Sequence, residues 1–217
     1  AVGYQAMYTN VDGDNSTAVG HKALYTQEPA SNVDMLNTAV GYNACYGLTT
    51  ALRSTAVGAN ALDATVTGND NTALGYNALT TTGSGTANVA VGSSAGDAIS
   101  TGSYNVAVGT HALSSIDTGA SNIGIGDNCL STATNSTNNL AVGHAALAAA
   151  TGSNNIALGY EALNDMVGGQ YNIAIGHYAL DAEDAVSSLT AVGYNALGKN
   201  NGGIENTAVG AHILAQN

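Results

Sequence analysis

A glycine preceded by a small residue and then a branched or long aliphatic recurs thirteen times, at Gly3, Gly20, Gly41, Gly58, Gly75, Gly92, Gly109, Gly126, Gly143, Gly159, Gly176, Gly193 and Gly210. Nearly every step is 17 residues; the exceptions are one of 21, from Gly20 to Gly41, and one of 16, from Gly143 to Gly159. A period this short, kept from end to end, predicts coils stacked into a solenoid or fibre and not an ordinary enzyme core. Residues 1–217 read as a single repetitive region without an interior linker. The chain starts inside a repeat, at Ala1-Val2-Gly3, and is expected to be a piece of a longer one.

With the glycine as position zero, −4 is Asn or Ser in eleven of the twelve repeats that contain it, Leu189 being the exception. Position −3 is Thr, Val, Ile or Leu, −2 is Ala except at Gly124, and −1 is Val, Leu or Ile. In an extended segment −3 and −1 point one way and the small −2 residue the other. A solvent-facing strand position does not need Ala in almost every repeat, so something packs closely on that side. The glycine itself is expected at a sharp bend or positive-φ corner. Two positions on, +2 is mostly polar; Ala usually follows at +3 and Leu at +4. The core anchors expected at +4 are Leu24, Leu62, Leu79, Leu113, Leu130, Leu147, Leu163, Leu180, Leu197 and Leu214. A second glycine at −7, as in Thr151-Gly152-Ser153-Asn154, reads as the turn that closes the coil.

These patterns predict an all-β solenoid or β-roll of about thirteen 17-residue coils. Each coil would carry two short strands, with backbone hydrogen bonds running along the stack and the −4 asparagines aligned in a ladder. Twelve steps at about 4.8 Å give a rod roughly 58 Å long. The four extra residues of the long step, within Tyr25 to Leu36, are expected to form an outward loop. A version with short helical turns in the Ala-Leu segments is weaker, because the glycines at zero and −7 leave no room for a stable helix. Two apolar faces on so thin a coil suggest that a second chain covers one of them. A homotrimer with rows of Ala near its axis, intertwined or side by side, meets that need; a single-chain solenoid with the −2 Ala inside a narrow coil is the other solution.

Composition narrows the partners. Fifteen acidic side chains stand against Lys22, Arg53 and Lys199, for a formal charge of −12. No phosphate-binding patch can form from so few cations, which excludes nucleic acid as a partner, and no apolar run of membrane-spanning length is present. Cys45 and Cys129 occupy +4 and +3 places and read as small buried residues. They are five coils, about 24 Å, apart, too far for a disulfide. His21, His144 and His177 share the +1 place, and His111 and His212 the +2 place; they read as surface residues, since Tyr, Ala, Ser, Thr and Asp also occur at +1. Val11-Asp12-Gly13-Asp14-Asn15 has an acidic turn but not the spacing of a helix-loop-helix calcium site. No catalytic constellation, cofactor motif or metal set is recognisable, so neither an enzyme nor a cofactor is expected. Tyr4, Tyr42, Tyr76, Tyr160 and Tyr194 at +1 leave sugar contact open as a secondary role. Interruption of the −3 threonines by Val, Ile and Leu argues against an ice-binding array.

The units Asn37 to Ala44 (Asn-Thr-Ala-Val-Gly-Tyr-Asn-Ala) and Thr151 to Leu163 resemble the repeats of bacteriophage tail-fibre and tail-spike shafts. The cores Asn88 to Gly92, Asn105 to Gly109 and Asn155 to Gly159 are similar to the head repeats of trimeric autotransporter adhesins, although those repeats are usually shorter. The resemblance covers essentially the whole chain. It implies an elongated homotrimer on a virion tail or fibre, or on a bacterial surface, associated with other fibre or virion proteins and holding a receptor-binding tip for host attachment. The adhesin alternative implies direct binding to host, matrix or surface glycan.

Overall fold

The fold comes from a computed structural model that describes residues 1–29, 31–149, 151–165, 167–181, 187–198 and 203–214. Lys199 and most of the acidic tract 181–184 lie outside them. Among the described residues the chain is a parallel β-solenoid without helix. In chain order the strands are β1 (Gly13–Asp14), β2 (Thr17–Val19), β3 (Val33–Asp34), β4 (Thr38–Val40), β5 (Thr55–Val57), β6 (Thr72–Leu74), β7 (Val89–Val91) and β8 (Val106–Val108). There follow β9 (Ile123–Ile125), β10 (Leu140–Val142), β11 (Ile156–Leu158), β12 (Ile173–Ile175), β13 (Thr190–Val192) and β14 (Thr207–Val209). Twelve of them, β2 and β4 to β14, form one parallel sheet, so about eleven turns separate its outermost strands. Val2 bridges Val19 as a further rung.

Each main strand is the triplet −3 to −1, paired like with like: Val89 with Val106, Ala90 with Ala107, Val91 with Val108. The steps of 16 and 21 residues keep this alignment, Leu140 pairing with Ile156 and Thr17 with Thr38. The middle Ala is fully buried inside its own coil, while −3 and −1 face outward. That placement corrects the idea that rows of Ala approach a threefold axis: Ala107 already packs within its own chain. The apolar side left open is the −3/−1 face.

The glycine after the triplet has φ between 130° and 141° in every coil, which a side chain rarely tolerates. It also stacks directly on its counterpart: a Cβ on Gly109 would collide with the carbonyl oxygen of Gly126. Beyond it the expected second strand does not form. Residues +2 and +4 are instead both left-handed, at φ 51–57° and, for the leucines, 49–54°. Alternate left-handed residues turn the chain twice in quick succession while its N–H groups still reach neighbouring coils, as in Leu113 N–H to the Cys129 carbonyl at 2.9 Å and His111 N–H to the Ser93 carbonyl at 3.0 Å. A left-handed Leu costs about 1–2 kcal/mol; its complete burial returns about 1.5–3 kcal/mol. The left-handed +2 place also accounts for its frequent Asn, which tolerates that conformation.

Leu24, Leu62, Leu79, Leu113, Leu130, Leu147, Leu163, Leu180 and Leu197 are fully buried. Leu214 departs from the expected set at 41 % exposed, because its coil has a described neighbour on one side only. Position +7 supplies core that the repeat pattern did not flag: Leu48, Ile99, Ile116 and Ala133 are buried there. Where Gly96 replaces Leu at +4, Ile99 and Leu79 close over the space a side chain would have used.

The opposite side of the interior is polar. Asn88 Oδ1 accepts the backbone N–H of Asn105 at 3.0 Å, and Asn88 Nδ2 donates to the Gly102 carbonyl at 2.8 Å. The same pair of bonds recurs at Asn71, Asn105, Asn122, Asn139 and Asn155. Most of the receiving carbonyls belong to the −7 glycines, whose stacking leaves no room for a Cβ at Gly102.

The inserted segment is not simply an outward loop. Gln27, Pro29 and Met35 are buried, and β3 pairs with β1 to make a second sheet of two strands. The extra residues thus build a local side wall against the coil before them.

Candidate functional site

A solenoid presents columns to solvent, each one repeat position long and one coil wide. The first outward column pair is the −3/−1 face of the main sheet. Val19 is 40 % exposed, Leu74 46 % and Ile125 41 %, and Val40, Ile123 and Ile175 are comparable. Threonines fill −3 at both ends and aliphatics fill it in the middle, from Val89 to Ile173. The result is an aliphatic ribbon along the middle of the sheet.

Around the glycine corner lie the +1 and +5 columns. In the first three coils the +1 rings of Tyr4, His21 and Tyr42 stack with centroids 5.2 Å apart at each step. The +5 rings of Tyr8, Tyr25 and Tyr46 stack beside them at 5.4 and 5.1 Å, within 12° of parallel. Lys22, between the columns at +2, holds its ammonium 5.5 Å from the Tyr25 ring and 5.7 Å from the Tyr46 ring. Reading tyrosines and histidines as separate sets hid this arrangement. Taken together as planar rings at a shared repeat position, they were visible as a column.

A second aromatic group runs from His144 through Tyr160, Tyr178 and Tyr194 to His212, mostly edge to face. Beside it lie Glu161, Asp165 and Asp181. Burial, then the charges of Asp165 and Glu161, raise the Asp181 carboxyl to about 6. A hydrogen bond to Glu161 raises the Tyr160 hydroxyl as well. Burial also pushes up the carboxyls of Asp63 and Asp97. Arg53 and Asp70 form an exposed pair at 2.6 Å, which lowers the Asp70 carboxyl through their hydrogen bond.

Both thiols are free and buried. Burial drives the Cys45 thiol far above its ordinary range and pushes Cys129 up to about 12, so neither is a ready nucleophile. Among the described residues no three His, Cys, Asp or Glu side chains converge as a metal set. The Asp12 and Asp14 turn is tied instead into the side wall, with Asn15 donating to Asp34 at 2.6 Å. His144 lies 3.6 Å from Asp127, and no described helix is long and apolar enough to cross a membrane.

Compared with protein-family models, curated proteins and solved structures, the chain matches none of them.

Proposed function

We propose that this chain is a shaft segment of a viral tail fibre or spike, which works as a homotrimer and positions a receptor-binding tip for host attachment. The observation that carries the reading is the unbroken twelve-stranded parallel sheet with an aliphatic outer face. The in-register pairing aligns the outward residues of successive coils, so the ribbon of Val, Ile and Leu is a seam for like chains. Covering it removes exposed apolar surface from water at about 25 cal/mol per Å². Hydrogen bonds along the stack give stiffness, and no step of the work is chemical. Association with other fibre or virion proteins follows from that role.

Solution mass by light scattering tests the assembly. The expected value is three times the 21.4 kDa of the chain; Ile123→Asp with Ile125→Asp, which places charges in the seam, is expected to return a single-chain mass. A wild-type monomer contradicts the homotrimer. The exposed aromatic columns favour a second reading, a bacterial surface adhesin that binds host, matrix or glycan directly through this region.

A further inference from the structure

The stacked rings of the first three coils are not needed by the fold. The same turn, with the same left-handed residues, forms where +1 is Ala59, Ser93, Thr110 or Asp127 and where +5 is Asp63, Thr80 or Ser114. Yet five of the eleven tyrosines are gathered here on one face, and Tyr4, Tyr8 and Tyr42 are 67, 63 and 54 % exposed. A doubly stacked aromatic patch that folding does not require, gathered in three successive coils, marks a binding surface.

We infer that the paired columns Tyr4–His21–Tyr42 and Tyr8–Tyr25–Tyr46 form a binding face for a linear, uncharged polysaccharide lying along the stack. Three features select that ligand. Every ring but one carries a hydroxyl, so the face offers apolar planes and polar edges together, as pyranose rings do with their C–H faces and hydroxyls. The rings repeat at 5.1 to 5.4 Å, close to the stacking interval of the coils, and thus present a one-dimensional lattice to a ligand that itself repeats. Between the columns run Gln5, Lys22 and Asn43, half-buried amides and an ammonium that donate to hydroxyls from a strip flanked by aromatic rings. The formal charge of −12 disfavours a polyanion, which sets nucleic acid and acidic glycans aside. Affinity arises from several weak contacts made together along one chain.

The inference sharpens the direct-binding reading above and does not depend on the trimer. Affinity gel electrophoresis of the whole chain with soluble β-glucan, galactomannan or dextran tests it. Retardation is expected in at least one polymer, weakened about ten-fold in the variant carrying Tyr8→Ser, Tyr25→Ser and Tyr46→Ser, equivalent to about 1.4 kcal/mol. Tyr4→Ser with Tyr42→Ser, on the other column, is expected to act in the same direction, and serves if the first variant fails to fold. Tyr104→Ser, an exposed tyrosine outside both columns, is expected to migrate as wild type. Unretarded wild type in all three polymers, or column variants that bind as wild type, overturns the inference. Light scattering on the same samples separates this result from the shaft reading, since a trimer without retardation removes the face and leaves the shaft.

Discussion

The interior of each coil has two unlike sides. On one, Ala at −2 and +3 and Leu at +4 pack without directional bonds; on the other, Asn at −4 and Gly at −7 are joined coil to coil by hydrogen bonds of 2.8 to 3.1 Å. The packed side tolerates exchange of one small apolar residue for another: Cys45 stands for Leu, Cys129 for Ala, and Gly96 is compensated by Ile99. The bonded side admits exchange only by giving up bonds, because each amide both accepts from one backbone and donates to another, and Leu189, buried at −4, has no side-chain group for either. Ser54 keeps only part of that bonding, accepting the Asn71 N–H at 3.4 Å. Shape is interchangeable among apolar residues of similar volume, whereas a bifunctional amide has no substitute of the same reach.

The largest effect expected on either side is from Leu113→Ala, which empties a fully buried site. A loss of about 2–5 kcal/mol is expected in denaturant unfolding; a midpoint equal to wild type contradicts the burial. Asn105→Ala should come next. It strands the Gly119 carbonyl and the Asn122 N–H, for a loss of about 2–3 kcal/mol. Asn105→Ser is expected to recover part of this, and equal losses for the two variants would show that acceptance from the next backbone counts for little.

Gly124→Ala sharpens the comparison, because it restores the residue that the repeat prefers. Leu113 leans into the room Gly124 leaves, and a Cβ there would collide with Leu113 Cδ1 and lie 2.9 Å from Cys129 Sγ. Overpacking of about 1–3 kcal/mol then outweighs the backbone gain of roughly 0.5–1 kcal/mol. Calorimetry is expected to find the variant less stable, by about 1 kcal/mol; a more stable variant means that Leu113 swings aside freely.

The smallest effect is at Asp181, outside both sides. Its carboxyl ionises near 6 in the fold and near 4 in an unfolded chain. Its contribution therefore falls as pH rises through that window and stays low above it. Asp181→Asn should raise the melting temperature at pH 7 and leave it unchanged at pH 3.5, with partial exposure keeping the gain under about 1 kcal/mol. No gain at pH 7 contradicts the burial of that carboxyl.

The glycine spacing and the asparagine ladder were legible because each occupies a fixed place and does one job in nearly every coil; the tight packing on Ala at −2 was legible too, but a small residue fits a narrow coil as well as a symmetry axis, and only the structure puts it inside its own chain. The second half of the coil was not legible, since Ala-Leu carries no sign that Leu can be left-handed; only the Asn common at +2 hinted at it. Position +7 was hidden by its variety, from Gln27 to Leu48, Thr82 and Ile99. Its residues need only fill space that neighbouring coils define. Pro29 and Met35 were misplaced because an insertion reads as a loop until something is found for it to pack against; that partner is β1, two short residues in the coil before.

Spin-label distances along the +1 column test the stacking itself. Cysteine labels at Ala59 paired with Asp127, and at Ala59 paired with Tyr194, in chains diluted with unlabelled protein and with Cys45 and Cys129 replaced, sample four and eight coil steps. The account predicts about 19 Å and about 38 Å, a doubling fixed by the interval between stacked strands. A second distance no longer than the first contradicts it.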